Sequence, residues 1–350
     1  MANQLAVVKT SFYTQHSLKH AAEEDPQTPS SKHPRMSKPT SINGILRRNA
    51  RQRLYVRPLK WTAQHLHLLG CEFSSRDRGC KDREADQVEK EEKAAVDQRL
   101  LHSIAEATKC MGPGHLCKGA SIGYILENYG LKETSYSRIP FDFAERPVCR
   151  LSTNGIFAPA GTAPAALAFL DLYGVRDRRH TSFLGGIGRR LNPPAVRLAF
   201  KKLARVRPNH VAHDPYIAAV LISLAQGLRY EAMMGSQTPP ANGAPISPPK
   251  EPVELPQKVS SLKVNSSDQS SLKPETRQVF LLATFESNLY VYDAGFPDTF
   301  LDRLDKPSEP SYLETVSIHY SCIPFSSEKG IDRAMERITK SMHKDYRTGI

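Results

Sequence analysis

The chain has 350 residues, of which 39% are hydrophobic, so it is long enough to bury a core without disulfide bonds. Its 48 lysines and arginines exceed its 36 acidic residues and give a net charge of +12, while 26 prolines and 20 glycines predict long stretches outside regular structure. No stretch approaches the ~18 to 20 consecutive apolar residues that span a bilayer, and no apolar secretory segment opens the chain. We therefore expect neither a membrane protein nor a secreted one.

The N-terminal residues 1–60 are predicted to form a disordered basic arm. Prolines at positions 26, 29, 34 and 39 interrupt any apolar periodicity, so this segment gains too little burial to offset its ordering entropy. Its last part, residues 47–60, contains no acid and six basic residues: Arg47, Arg48, Arg51, Arg53, Arg57 and Lys60. Such a run is typical of nuclear-import or polyanion-binding segments, and the alternative is a tail whose charges are simply solvated.

The sequence predicts that residues 61–235 form the mainly helical part of the core. A charged opening followed by an apolar stripe predicts an amphipathic helix over 83–109. A second helix is predicted to begin at Ser121, as its N-cap, and to stop at Gly130. A third is predicted from Pro164 to Gly174, because several apolar residues lie close together there.

Two further helices of this part carry stronger signals. Asn192 and Pro193 form an N-cap and first-turn pair, which predicts a helix to about position 204 with cations on its outer side. Asp214 and Pro215 open a segment that is apolar around nearly its whole circumference. A helix of that kind is buried, so we predict that it is the central element of the core.

The C-terminal part is predicted from a change in composition. Prolines and serines dominate residues 236–276, which predicts a disordered linker or insertion. Residues 277–345 then show a hairpin, a short helix, a third strand and an amphipathic helix, in the order β-β-α-β-α. The predicted fold class is therefore α+β, with a helical N-terminal part packed on a small antiparallel sheet. Because three strands are not stable alone, we expect the Asp214 helix to cover this sheet.

The cysteines predict a reducing compartment. They stand at positions 71, 80, 110, 117, 149 and 322, without a paired C-x-x-C spacing, as expected of free thiols in a cytoplasmic or nuclear protein. Cys110, His115 and Cys117 are ligand types that zinc prefers, but their spacing does not match the usual zinc motifs. We expect no disulfide, no metal and no cofactor.

The strongest functional signal is the basic stretch 176–207, in which ten basic residues stand against the single acid Asp177. Glycines at 185, 186 and 188 bend the chain just before the predicted helix at Asn192, whose free backbone amides favour an anion. The candidate anion-binding residues are Arg189, Arg190, Arg197, Lys201, Lys202 and Arg205. The alternative is a solvated face or one paired with acidic residues, because few aromatic residues are interleaved for base stacking.

Three catalytic patterns are weaker. Residues 119–123 (GASIG) fit the G-x-S-x-G pattern of serine hydrolases, but a loop precedes them where that mechanism needs a strand. Residues 210–214 (HVAHD) suit a metal or proton transfer, although Asp214 already has a sufficient role as a helix cap. Glu286 and Asp293 lack the lysine that completes a split-carboxylate nuclease site.

Part of the sequence resembles a group of uncharacterised filamentous-fungal proteins. The resemblance rests on residues 214–226 (DPYIAAVLISLAQ), on 289–294 (LYVYDA) and on Phe300 with Leu301, and it covers roughly the C-terminal 140 residues. In those proteins an Asp-Pro-Tyr-Ile helix that ends in Ala-Gln precedes a hairpin and a short helix. The resemblance implies this architecture and a fungal origin, and it implies no activity.

These observations favour a non-catalytic interaction protein of the cytoplasm or the nucleus. Its protein partner is not identified by the sequence. The alternative function is binding of nucleic acid or another phosphate-bearing polyanion through the two basic segments, 176–207 and 47–60. A serine hydrolase that uses Ser121 is the most distant alternative.

Overall fold

The computed structural model describes residues 41–76, 116–134, 137–159, 165–185, 192–235 and 275–348. Outside the described residues lie the helix predicted over 83–109, most of the predicted linker 236–276, and the side chains of Arg189 and Arg190. The described ranges contain both helices and strands, as the α+β prediction requires.

The described residues form nine strands: β1 (Cys71–Ser75), β2 (Leu131–Glu133), β3 (Arg138–Phe143), β4 (Arg146–Ser152), β5 (Gly155–Pro159), β6 (Leu167–Asp171), β7 (Thr276–Phe285), β8 (Asn288–Pro297) and β9 (Val316–Pro324). They also form eight α-helices: α1 (Ile42–Arg48), α2 (Ala63–Leu69), α3 (Leu116–Asn128), α4 (Leu172–Leu184), α5 (Pro193–Val206), α6 (Pro215–Gly235), α7 (Asp298–Asp305) and α8 (Glu328–Thr348). Short 3-10 turns cover Ala50–Gln52, Pro58–Lys60 and Val211–His213.

Seven of these strands form one mixed sheet in the order β1-β9-β8-β7-β6-β5-β2. The β1/β9 and β6/β7 pairs are parallel, and the other neighbouring pairs are antiparallel. The prediction of a small antiparallel sheet is therefore wrong in both size and direction. The three strands predicted for the tail, β7, β8 and β9, are adjacent in the centre of this larger sheet.

Strand β6 lies within residues 164–174, for which the sequence predicts a helix, so that prediction is wrong for Leu167–Asp171. All five of its residues are buried, so the strand shows a continuous apolar run and no alternation between faces. A short run of that kind looks the same in a buried strand and in a buried helix. The helix of this region, α4, begins only after the strand, at Leu172.

Helix α6 confirms the prediction of a buried central helix. It packs on one face of the sheet, where it contacts β7, and its far side is covered by the β3/β4 hairpin. Tyr216 exchanges hydrogen bonds with the backbone of Ser152 on β4, at 2.9 and 3.0 Å, and Gln226 does the same with the backbone of Asp142 on β3, at 3.1 and 2.9 Å. Because protein surrounds it on both sides, the helix is apolar around its circumference.

The length and composition of this helix also meet the requirements of a membrane span. Within the described residues, Pro215–Met234 is the one helix that is long and apolar enough to cross a bilayer, and 61% of its apolar window is buried inside the protein. A core helix has the same properties, so this finding alone favours neither setting.

Helices α3 and α8 cover the other face of the sheet. Successive residues of each strand point to opposite faces, so Phe280 and Leu282 of β7 contact α3 and α8, whereas Leu281 packs with α6. The protein therefore has three layers, with the sheet in the middle. Helix α3 begins at Leu116, so Ser121 lies within the helix and the prediction that it is an N-cap is wrong.

Residues 41–60 are ordered, and the prediction of a disordered arm is wrong for them. Ile42, Leu54 and Trp61 are buried against the α6 side of the core, and the backbone amide of Asn43 donates to the carbonyl of Pro307 at 2.8 Å. These apolar residues occur singly and without periodicity, so the sequence shows no pattern although each side chain fills a space in the core. Residues 1–40 lie outside the described residues.

His65, as the neutral imidazole, fixes the turn between residues 54 and 62 through two hydrogen bonds to the backbone. The backbone N–H of Thr62 can only donate, so it donates to Nδ1 at 3.0 Å, and the carbonyl of Leu54 can only accept, so it accepts from Nε2 at 3.1 Å. Burial lowers the pKa of His65 from its usual 6.5, although the two backbone hydrogen bonds partly offset this effect. Protonation would place a hydrogen on Nδ1 as well, facing the Thr62 donor.

We expect the protein to lose stability as the pH falls, in part because of His65. Its stabilising contribution is complete above about pH 6.5 and decreases as the pH falls toward the lowered pKa of the folded state. His65→Gln should reduce the free energy of unfolding at pH 7.5 by about 1 to 3 kcal/mol and should weaken its dependence on pH. Urea unfolding at several pH values measures both quantities. His343→Gln, at an exposed position on α8, is the control, and an equal pH dependence in all three proteins would contradict this role for His65.

Candidate anion-binding surface

Helix α5 carries four of the candidate anion-binding residues. Asn192 precedes it and Pro193 is its first residue, as predicted. Ala199 and Val206 face inward, whereas the other side is exposed and carries cations at intervals of four residues: Arg197, Lys201 and Arg205, with Lys202 beside them. The prediction of an amphipathic helix with a cationic outer side is confirmed.

The cations of α5 have no internal acid to neutralise them. The sequence from Asn192 to His213 contains no acidic residue, and within the described ranges none of the four candidate side chains forms an ion pair or a hydrogen bond. Their charge is therefore directed to the solvent, where it attracts anions. This arrangement differs from a face paired with acidic residues, which was one of the two alternatives to anion binding, and the other, a solvated face, stays open.

A buried ion pair fixes the position of the neighbouring helix α4. Both guanidinium Nη atoms of Arg179 donate to the carboxylate of Asp214, each at 2.5 Å, and the two side chains are 4% and 6% exposed. The Nε of Arg179 donates to the carbonyl of Leu59 at 2.9 Å. Asp214 also accepts from the backbone N–H of Tyr216 at 2.8 Å, which confirms its predicted role as the cap of α6. One arginine thus joins α4, α6 and the Pro58–Lys60 turn.

The contact of Arg179 with Leu59 also brings the first basic segment, residues 47–60, next to the second, residues 176–207. Next to Leu59, the ammonium group of Lys60 lies 5.0 Å from the centre of the Phe183 ring on α4, in a cation–π contact. The five arginines of the segment are exposed, and none of them has an acidic partner among the described residues: Arg47, Arg48, Arg51, Arg53 and Arg57. The two basic segments, far apart in sequence, therefore meet at α4.

The β3/β4 hairpin adds three arginines that the sequence analysis did not single out. Arg138, Arg146 and Arg150 are exposed, and within the described chain they too form no ion pair. Burial raises the pKa of the Cys149 thiol on β4, and the nearby Arg57 partly offsets that rise, so the first basic segment also adjoins the hairpin. The alternation of Arg146, Val148 and Arg150 was the available signal, because it predicts one exposed face of a strand.

These groups all lie on the α6 side of the sheet, and we call them together the basic surface: residues 47–60, the three hairpin arginines and the outer side of α5. The opposite side differs in charge. Helix α8 mixes both signs along its length, with Glu328, Asp332 and Glu336 among its lysines and arginines, and Lys340 pairs with Glu336 at 3.4 Å. Residues 47–60 and α5 thus differ from α8 in that their exposed cations have no acidic residues interleaved among them.

The structure does not assemble the catalytic patterns. Ser121, with the two glycines of its motif, lies within α3 and not on the strand-to-helix turn that a hydrolase elbow requires. Asp293 pairs with Arg76 at 2.5 Å, and burial raises its pKa while Arg76 offsets part of that rise. Glu286 lies in the turn that precedes β8, apart from Asp293 in the middle of that strand.

The residues of the 210–214 pattern have separate roles. His210 Nδ1 accepts from the backbone N–H of Ala212 at 3.2 Å, and His213 Nε2 lies 3.1 Å from the hydroxyl of Tyr320. Asp214 is engaged by Arg179. Across the part of the chain that the structure describes, no group of three or more His, Cys, Asp or Glu residues is arranged to hold a metal ion.

We expect the Arg179–Asp214 pair to dominate the stability of this region. Asp214→Asn keeps a side chain that can cap α6 but removes the charge, and it should lower the free energy of unfolding by about 3 to 5 kcal/mol because Arg179 is left buried and uncompensated. The single tryptophan, Trp61, lies close to Leu59 in sequence and provides a fluorescence signal for urea unfolding.

Glu275, whose side chain is 66% exposed, pairs with Arg277 at 2.7 Å and supplies the matched control for that measurement, because Arg277 keeps a second acidic partner, Asp298. Glu275→Gln should cost less than about 1 kcal/mol, because solvent screens the pair. If Asp214→Asn cost no more than Glu275→Gln, the structural role of the buried pair would be refuted.

Comparison with known proteins gives no match, whether with protein-family models, with curated proteins or with solved structures. The resemblance of the Asp214 helix to fungal proteins stays a prediction.

Proposed function

We propose that this protein is a non-catalytic interaction protein whose partner is a polyanion, specifically the phosphate backbone of a nucleic acid, bound on the basic surface. The observation that carries the proposal is that residues 47–60 and helix α5, which both lack acidic residues, lie on the same side of the sheet. We place the protein in the cytoplasm or the nucleus, where nucleic acids are available.

The exposure of the unpaired cations supports this proposal. A lysine that is already paired with a carboxylate gains little from a phosphate, whereas an unpaired lysine displaces condensed counterions when it binds one. Arg197, Lys201 and Arg205 repeat along one side of α5, so the helix presents a row of positive charge to a linear partner.

The roles of the would-be catalytic residues also favour binding over catalysis. Ser121 lies inside a helix, and Asp214 is occupied by Arg179 and by the backbone of α6. The cations of α5 and the arginines of residues 47–57, in contrast, form no ion pair or hydrogen bond through their side chains among the described residues, and their mutual repulsion destabilises the fold. A binding function accounts for a surface of that kind.

We expect the affinity for nucleic acid to depend steeply on salt and on α5. Fluorescence anisotropy measures this with a labelled single-stranded oligonucleotide of about 20 nucleotides, because a typical single-strand site covers ~4 to 16 nucleotides. Binding by the full chain should weaken strongly between about 50 and 200 mM salt. Lys201→Gln with Lys202→Gln should weaken binding and should reduce the slope of log affinity against log salt by about 1.

The matched control removes two lysines from the opposite side of the sheet. Lys329 and Lys340 are exposed on α8, so Lys329→Gln with Lys340→Gln changes the net charge equally. This variant should bind with nearly the affinity and salt slope of the unaltered protein. An equal loss in both variants would show that only net charge matters, and an absence of binding at about 20 mM salt, where phosphate contacts are strongest, would refute the proposal.

A further inference from the structure

An open cavity of about 790 Å³ lies beside α5, lined by the C-terminal half of that helix, the first turns of α4, the residues that precede α6 and the end of β7. Its volume falls within the range of small-molecule sites, about 300 to 1,000 Å³. Every residue that lines it belongs to the described ranges, and Arg179 and Asp214 form part of its wall. The buried ion pair therefore gives the cavity a fixed inner surface.

Aromatic side chains from three different elements line this cavity. Tyr173 of α4 stacks on Phe285 at the end of β7, with ring centroids 4.6 Å apart, and Phe200 of α5 lines the cavity while remaining 51% exposed. The sequence of the basic stretch suggested few aromatic residues for base stacking. The fold adds Phe285, which lies 78 residues after the end of that stretch.

Cations line the same cavity. Arg176 on α4 and Arg207 after α5 are exposed, and neither has an acidic partner in the described chain. His180 lies one helical turn after Arg176, and Asp177 is the one lining carboxylate besides Asp214, which Arg179 neutralises. The cavity thus combines aromatic walls with an excess of positive charge, which suits a planar aromatic ligand that carries an anion.

From this combination we propose that the cavity binds a nucleoside phosphate, either as a free mononucleotide or as one unit of a nucleic-acid strand. The base packs against Phe200 and Tyr173, and the phosphate lies near Arg176 and Arg207, whose guanidinium groups suit phosphate geometry. Only the strand form rests on the proposed function, because a free mononucleotide needs no contact with the basic surface.

The geometry of α5 relates the cavity to the row of cations. Phe200 and Ala204 line the cavity, and each is next in sequence to a residue of the outer row, Lys201 and Arg205. On a helix, neighbouring residues lie about 100° apart around the axis. A strand with one base in the cavity therefore has its adjacent phosphates at the edge of the cationic row.

The test uses the full chain and 2-aminopurine riboside 5′-monophosphate, whose fluorescence is quenched when its base stacks on an aromatic ring. We expect saturable quenching that AMP competes away, with weaker competition by adenosine or by inorganic phosphate alone. Phe200→Ala and Arg207→Gln should each weaken binding about five- to tenfold, as expected for the loss of one stacking or one phosphate contact.

Two control variants match these substitutions. Leu198 is 52% exposed on α5 and does not line the cavity, so Leu198→Ala removes a comparable apolar group. Lys340→Gln removes one cation from the opposite side of the sheet. Both controls should bind the mononucleotide as the unaltered protein does, and thermal unfolding of each variant should show that it is folded.

A second probe, an oligonucleotide with one internal 2-aminopurine, distinguishes the two sources of the ligand. Quenching of the oligonucleotide alone, lost in Phe200→Ala, identifies the strand as the ligand and supports the proposal. Salt-dependent oligonucleotide binding that does not depend on Phe200 upholds the basic surface and overturns the cavity proposal. Quenching of neither probe, or binding of a fatty acid such as laurate at this site without binding of nucleotides, overturns it as well.

If the Lys201 and Lys202 variant binds nucleic acid normally, the proposed function fails, yet Phe200-dependent binding of the mononucleotide still supports the cavity. The two proposals therefore fail separately.

Discussion

The ion pair between Arg179 and Asp214 is the interaction on which the functional region depends. It joins α4 to the start of α6, and its third hydrogen bond holds the carbonyl of Leu59, so three distant parts of the chain converge on one guanidinium group. Burial makes the pair costly to form and more costly to break from one side, because the remaining charge has no water to solvate it. The register of α4 is therefore strongly specified. The first basic segment and the inner wall of the cavity both take their positions from it.

Around this pair the chain separates its charge from its core. The sheet presents two apolar faces, and α6 is covered by the hairpin on one side while α3 and α8 cover the opposite face of the sheet. On the α6 side, residues 47–60 and α5 carry cations without acids, and the acidic residues Asp302 and Asp305 of α7 pair with Arg229 of α6, whereas α8 mixes both signs. Concentrated like charges oppose folding through their repulsion, and here buried packing and the ion pair offset that repulsion. The result is a basic surface next to a cavity with aromatic walls.

Much of this arrangement follows from local sequence patterns. Helices α5 and α6 were predictable because Asn192 and Asp214 mark their starts and because apolar periodicity persists over several turns. Strand β6 and residues 41–60 were not predictable, since an uninterrupted buried strand has no alternation and isolated apolar side chains have no period. The cationic side of α5 was evident from spacing alone. The hairpin arginines and the contact of Lys60 with Phe183 depend on tertiary packing, and so does the approach of Phe285 to Tyr173.

Residues 47–60 and helix α5 are proposed to bind one polyanion together. Hydrogen–deuterium exchange of the full chain, with and without the single-stranded oligonucleotide at low salt, tests this proposal most directly. We expect the oligonucleotide to slow exchange in residues 47–60 and in 192–207 together, and to leave α8 unchanged. Protection confined to one of the two segments, or protection of α3 and α8 instead, would contradict it.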